Sequence, residues 1–136
     1  MISQQSRDFV RQRANGRCEY CRLPHELEPF LPFHVDHIIA EQHGGDDDLM
    51  NLCWCCQHCN LKKGPNLSSR DDETGHTVEL FNPRVDTWQD HFEWNGPFLI
   101  SKTATGRATI KCLAINHPDN VAQRQAFMAE GVFPFE

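Results

Sequence analysis

Phe33-His34-Val35-Asp36-His37-Ile38-Ile39, Gly44-Gly45, Asn51-Leu52 and Cys56-Gln57-His58-Cys59-Asn60-Leu61-Lys62-Lys63-Gly64 form one ordered run, and most of the structural information in the chain lies in it. The first segment alternates apolar and polar side chains, which predicts a strand over 33–39. Gly44-Gly45 turns the chain. The acidic run Asp46-Asp47-Asp48 suits the N-terminus of a helix, where side-chain oxygens cap unpaired N–H groups. That predicts a helix over 49–63, ended by Gly64-Pro65. Successive strand side chains point to opposite faces, so Asp36 and His37 can serve one site only if the strand bends or ends between them.

Upstream lies Cys18-Glu19-Tyr20-Cys21, a knuckle of the same spacing as Cys56-Gln57-His58-Cys59, and 34 residues separate the two. Each knuckle sets two sulfurs on one side of a tight turn, and two such pairs complete a tetrahedron around Zn²⁺. Seven cysteines in a chain without a secretory signal argue for metal rather than disulfides. Cys53 and Cys56 share the same spacing, Cys55 adds a thiol and His58 an imidazole. The residues flanking Cys56 and Cys59 favour that pair, with His58 an exposed polar residue. A closed four-sulfur site has no open position, so this zinc is expected to be structural. Cys112 reads as a buried hydrophobe in a strand.

The residues between and just after the knuckles are those that phosphodiester hydrolysis uses. That reaction needs a base to activate water and a cation to stabilise charge on the phosphate and the leaving oxygen. A histidine is the natural base near neutral pH, and Asp and Asn oxygens suit Mg²⁺ or Mn²⁺.

In order and spacing, Cys18-x-x-Cys21, Asp36-His37-Ile38-Ile39, Gly44-Gly45, Asn51-Leu52 and Cys56-x-x-Cys59-Asn60-x-x-Lys63-Gly64 resemble the HNH endonuclease family. Leu80-Phe81-Asn82-Pro83-Arg84, Trp88, His91-Phe92 and Gly106-Arg107-Ala108-Thr109 extend the likeness to a bacterial subgroup with a four-cysteine zinc site. The resemblance implies an α+β fold: a ββα-metal core with structural zinc knuckles and a C-terminal strand and helix extension. It implies that His37 is the general base and that Asp36 and Asn60 ligate the catalytic cation. Asn51 would hold the hairpin loop and orient His37, and Lys63 would meet substrate phosphates. Asn60 stands where many members have His, which favours Mg²⁺ over Zn²⁺ at the catalytic site. The implied activity is cutting or nicking of DNA, with RNA or branched DNA as other substrates.

The rest of the chain fits one domain of 136 residues, a core over 1–66 and an extension over 67–136. Ser3 to Ala14 predicts a short helix stopped by Asn15-Gly16. The segment 66–75 reads as a polar loop with a turn at Glu73-Thr74-Gly75, and 77–81 as a strand. Strands are predicted at 98–100 and 108–113, joined around Thr105-Gly106, and a last helix over 116–129. Tyr20, Trp54, Trp88 and Trp94 read as core or zinc-packing residues. His34 and His43 read as surface residues, and Arg84 and Arg107 as backbone contacts to DNA or ion-paired residues. The net charge of −6 runs against nucleic-acid binding and motivates a second reading, a zinc-stabilised module that binds nucleic acid or protein without catalysis. No apolar run approaches the ~18 residues of a membrane span, so a cytoplasmic location is expected.

Overall fold

The computed structural model describes residues 1–135 as two compact units. The first comprises Met1–Leu67 with Asn82–Asp86, and the second Ser68–Phe81 with Thr87 onward. The chain is α+β, with three two-stranded antiparallel sheets and five α-helices among the described residues.

In the first unit, helix α1 (Gln4–Arg13) starts at Ser3, whose side chain accepts from the Ser6 N–H. It buries Val10 beside a hairpin of β1 (His34–His37) and β2 (Leu52–Cys55). The register pairs His34 with Cys55, Val35 with Trp54, Asp36 with Cys53 and His37 with Leu52. Helix α2 (Gln57–Lys63) follows at once, giving the ββα order. The helix expected over 49–63 is therefore confined to its last seven residues. Asp48 does act as a cap, its side chain accepting from the Met50 N–H at 2.8 Å, but it opens only one 3₁₀ turn over Leu49–Asn51. Leu52-Cys53-Trp54-Cys55 then runs fully buried as a strand, because antiparallel pairing to β1 satisfies its backbone while all four side chains leave water. Arg13 ties this turn to α1, donating to the carbonyls of Leu49 and Leu52 at 3.0 and 2.7 Å.

In the second unit, β3 (Ser68–Arg70) pairs with β4 (Thr77–Glu79) across the turn expected at 73–75. β5 (Phe92–Asn95), preceded by the single-turn helix α3 (Trp88–His91), pairs with β6 (Phe98–Ser101). Helices α4 (Ala104–Cys112) and α5 (Pro118–Ala129) complete it around Trp88, Phe92, Leu99, Leu113, Ile115 and Val121. The strand predicted at 108–113 is instead α4, which moves Cys112 to a half-buried position at a helix end. Thr103 caps α4 by accepting from the Gly106 N–H at 3.0 Å. Gly106 marks a close approach rather than a turn: a Cβ there would lie 2.5 Å from the His91 carbonyl oxygen. Asp71 braces this unit, with its side chain buried against Arg107 at 2.7 and 3.0 Å. No helix among the described residues is long and apolar enough to cross a membrane.

Candidate metal centre and hydrolytic site

The two knuckles meet. Cys18, Cys21, Cys56 and Cys59 are all buried, with their sulfurs within 4.8 Å of one another. Cys21 Sγ and Cys56 Sγ lie 3.7 Å apart. Four ligands at a Zn–S length of about 2.3 Å stand about 3.8 Å apart at the corners of a tetrahedron, so the cage matches a zinc ion. A disulfide needs ~2.05 Å between sulfurs, and all seven cysteines are free. Burial works against the Cys18 thiolate, yet hydrogen bonds from Cys21, Cys55, Cys56 and Cys59 hold it well below the usual thiol range. Hydrogen bonding to Cys18 and Cys21 in turn drives the Cys56 and Cys59 thiols up. A divalent cation in the cage would let all four sulfurs bind as thiolates.

Local structure explains why the cysteines converge. Cys56 is the N-cap of α2, and its sulfur accepts from the Cys59 N–H at 3.4 Å. The first knuckle is closed by the Cys18 N–H donating to the Leu23 carbonyl and the Arg22 N–H to the Cys18 carbonyl, both at 2.9 Å. Glu19 ties that knuckle to β2. Its backbone N–H donates to the Trp54 carbonyl at 2.9 Å, and its carboxylate accepts from the Trp54 N–H at 2.8 Å. Arg84 pairs with the same carboxylate. Burial pushes the Glu19 carboxyl up, and the backbone hydrogen bond and the guanidiniums of Arg84 and Arg13 pull it back.

Asp36 sits in the middle of β1 and is buried. Its Oδ2 lies 3.0 Å from Lys63 Nζ and 3.9 Å from Cys53 Sγ. Burial raises its carboxyl, opposed by the nearby Lys63 and His37 charges. Lys63 is 2% exposed and also donates to the His37 carbonyl at 3.1 Å. This differs from the outward position that a phosphate contact calls for: its ammonium has internal partners. Asn60 is half-buried on α2, one turn before Lys63 and on the same side of the helix.

His37 is the last residue of β1. Its Nε2 stands 2.8 Å from Asp47 Oδ1 and 3.7 Å from Glu41 Oε1. The hydrogen bond from His37 holds the Asp47 carboxyl below its ordinary value. Asn51 is the last residue of the intervening loop, just before β2. Its Oδ1 accepts from the Ile39 N–H at 2.8 Å, and its Nδ2 donates to the carbonyls of Ile39 and Asp46 at 3.0 and 2.9 Å. Its backbone carbonyl accepts from the Ile38 N–H at 2.8 Å. Gly45 lies under this clamp, where a Cβ would fall 1.6 Å from the Ile39 oxygen.

Among the remaining candidates, His34 hydrogen-bonds Gln57, His43 is exposed and His58 is half-buried rather than exposed. Tyr20 is fully buried, 3.6 Å from Cys53 Sγ. Trp54 packs with His25 and Phe33, Trp88 is buried and Trp94 is half-buried. Arg84 and Arg107 are both ion-paired. Asp47 and Glu41 were missed from sequence. The only hint was their acidity in a loop of uncertain length, which reads equally well as helix capping.

A ββα unit braced by a four-cysteine cage, with Asp36, His37, Asn51 and Asn60 in this order, has the architecture that the resemblance to HNH endonucleases implies. Residues 18–66 match the HNH endonuclease family. The chain is also similar to the Septu protein PtuB of Bacillus thuringiensis, with 28% identity over 117 residues covering 81% of this chain. It spans 40% of that relative's length. No solved structure matches.

Proposed function

We propose that this chain is a divalent-cation-dependent endonuclease that cuts or nicks DNA. His37 accepts a proton from water, and the resulting hydroxide attacks the scissile phosphorus. The bond from phosphorus to the 3′-oxygen breaks, and the departing oxygen takes a proton from a solvent water, leaving 5′-phosphate and 3′-hydroxyl ends. Asp36 and Asn60 are the proposed ligands of a hard cation, and Mg²⁺ or Mn²⁺ bound there would stabilise charge on the phosphate and leaving oxygen. The donor set fits such an ion, being all oxygen. Both contacts of the Asp36 carboxylate fall on Oδ2, which leaves Oδ1 for a ligand. Lys63 opposes the upward push of burial on Asp36 and fixes its carboxylate, and Asn51 holds the loop that carries the histidine partner.

The observation that carries this reading is the placement of His37 at a strand end, with an acceptor on one ring nitrogen, beside a buried and charge-paired Asp36. Supercoiled plasmid incubated with Mg²⁺, Mn²⁺ or EDTA tests it. Cleavage should require the cation, and His37→Ala should lower the rate by roughly 10²–10⁴-fold, the usual worth of a general base. A folded, zinc-loaded His37→Ala protein that cleaves at the wild-type rate refutes the assignment. The net charge of −6 favours one rival, a zinc-stabilised binding module without catalysis. It predicts no cleavage of plasmid, single strands, structured RNA or branched DNA with any divalent metal.

A further inference from the structure

The loop leaving β1 folds back on the strand it has left. Asn51, at the end of the loop, grips the backbone of Ile39 near its start and of Asp46 further along. The next residue, Asp47, therefore arrives beside His37, with Oδ1 2.8 Å from Nε2. An ionised carboxylate can only accept hydrogen bonds, so Nε2 must carry the proton of this contact. The lone pair of the neutral ring then lies at Nδ1, the nitrogen turned away from Asp47.

We propose that Asp47 is the positioning residue of the hydrolytic site: its carboxylate binds the Nε2–H edge of His37, fixes the ring's rotation and tautomer, and leaves Nδ1 to take the proton from water. This rests on His37 being the base. It also gives Asn51 a defined task, which is to hold the loop so that Asp47 reaches the ring.

His37, Glu41 and Asp47 together have the composition of a metal site, and their ligand atoms lie within 4.8 Å of one another. With Nε2 and Oδ1 2.8 Å apart, the imidazole and the carboxylate meet directly at ordinary hydrogen-bond length. The Glu41 side chain, 72% exposed and 3.7 Å from Nε2, adds little constraint.

The test uses the zinc-loaded full chain as wild type, Asp47→Ala, Asp47→Asn, Asp47→Glu and Glu41→Gln. Two readouts are made: the ¹⁵N shifts of the His37 ring, and plasmid nicking with Mg²⁺ resolved into kcat and KM. In wild type the ring should be the Nε2–H tautomer. Asp47→Ala and Asp47→Asn should mix the tautomers and lower kcat about 10–100-fold, the usual cost of losing a histidine-orienting partner. KM should stay within about two-fold of wild type, because Asp47 does not touch substrate. Asp47→Glu should recover part of kcat, and Glu41→Gln should change neither readout.

A wild-type ring in the Nδ1–H tautomer, or an Asp47→Ala protein with wild-type kcat, overturns the proposal. If Asp47→Ala does not fold, the near-isosteric Asp47→Asn decides. Wild-type protein that cleaves nothing while holding the Nε2–H tautomer overturns the nuclease reading and the catalytic role drawn from it, whereas cleavage with the wrong tautomer overturns only the role of Asp47.

Discussion

Replacing Asn51 by alanine removes three side-chain hydrogen bonds at once, at 2.8, 2.9 and 3.0 Å. A typical intramolecular hydrogen bond contributes about 0.5–1.5 kcal/mol net, so three give an outer range of about 1.5–4.5 kcal/mol. The site is only half-buried, and water can re-solvate part of the Ile39 and Asp46 backbone, which places the expected loss near 2 kcal/mol. For a domain of 60–100 residues this corresponds to a fall in Tm of roughly 8–16 °C. Asn51→Asp should cost more than Asn51→Ala. It keeps the acceptor for the Ile39 N–H but turns carboxylate lone pairs toward two carbonyls that now receive an NH₂. Urea denaturation of the zinc-loaded chain, followed by near-UV circular dichroism, measures both. An Asn51→Ala protein within 0.5 kcal/mol of wild type by that measure, or an Asn51→Asp protein as stable as wild type, would refute the argument that this side chain closes the loop.

The zinc cage, the loop glycine and the buried Asp71 each give a further outcome. Stripping zinc with a strong chelator, or Cys59→Ser, should unfold the first unit, seen as loss of its dispersed amide signals; an apo-chain with an unchanged spectrum contradicts a structural metal. Gly45→Ala should displace the loop, because its Cβ would sit 1.6 Å from the Ile39 oxygen and 2.9 Å from Asn51 Nδ2. The expected cost is ~2 kcal/mol or more, and the ring ¹⁵N spectrum should show His37 released from its hydrogen bond to Asp47. The Arg107 guanidinium holds the Asp71 carboxyl well below the usual carboxylate range. A depressed folded-state value adds stability that is present above the unfolded value of about 3.9 and is lost as pH falls through the folded one. Acid should therefore weaken the second unit in wild type, and Arg107→Met should flatten that dependence in urea midpoints taken from pH 6 to pH 2.

The four-cysteine cage was legible because its spacing is itself the constraint. Two Cys-x-x-Cys pairs define a cage whatever lies between them, and alternation over 33–39 marked the strand that carries Asp36 and His37. The second strand was not legible. Leu52-Cys53-Trp54-Cys55 is buried at every position, so it has no alternation to distinguish it from a buried helix. The acidic run before it signalled a helix that amounts to a single 3₁₀ turn. Helix α4 was missed for the opposite reason: Thr105-Gly106 looks like a turn, and only the three-dimensional approach of His91 explains a glycine inside a helix. Lys63 was legible as a cation but not as a buried one, since the partner that draws it inward lies 27 positions earlier in the chain.

That inward turn bears on how an acidic chain handles a phosphodiester. Three cations of the first unit are occupied internally: Lys63 by Asp36, Arg84 by Glu19, and Arg13 by two backbone carbonyls. The loop around His37 presents Glu41, Asp46, Asp47 and Asp48 to solvent. A phosphate approaching His37 therefore meets like charge, worth about 1 kcal/mol per pair at 4 Å even in water. If Asp36 and Asn60 hold a divalent cation, that ion reverses the local sign. Under the proposed function, metal should then govern DNA binding as well as turnover. The zinc-loaded chain should bind a short duplex measurably better with Ca²⁺, as a non-catalytic hard cation, than without it. Asp36→Ala should abolish the difference, and binding that ignores both changes would mean that the phosphate is met elsewhere on the surface.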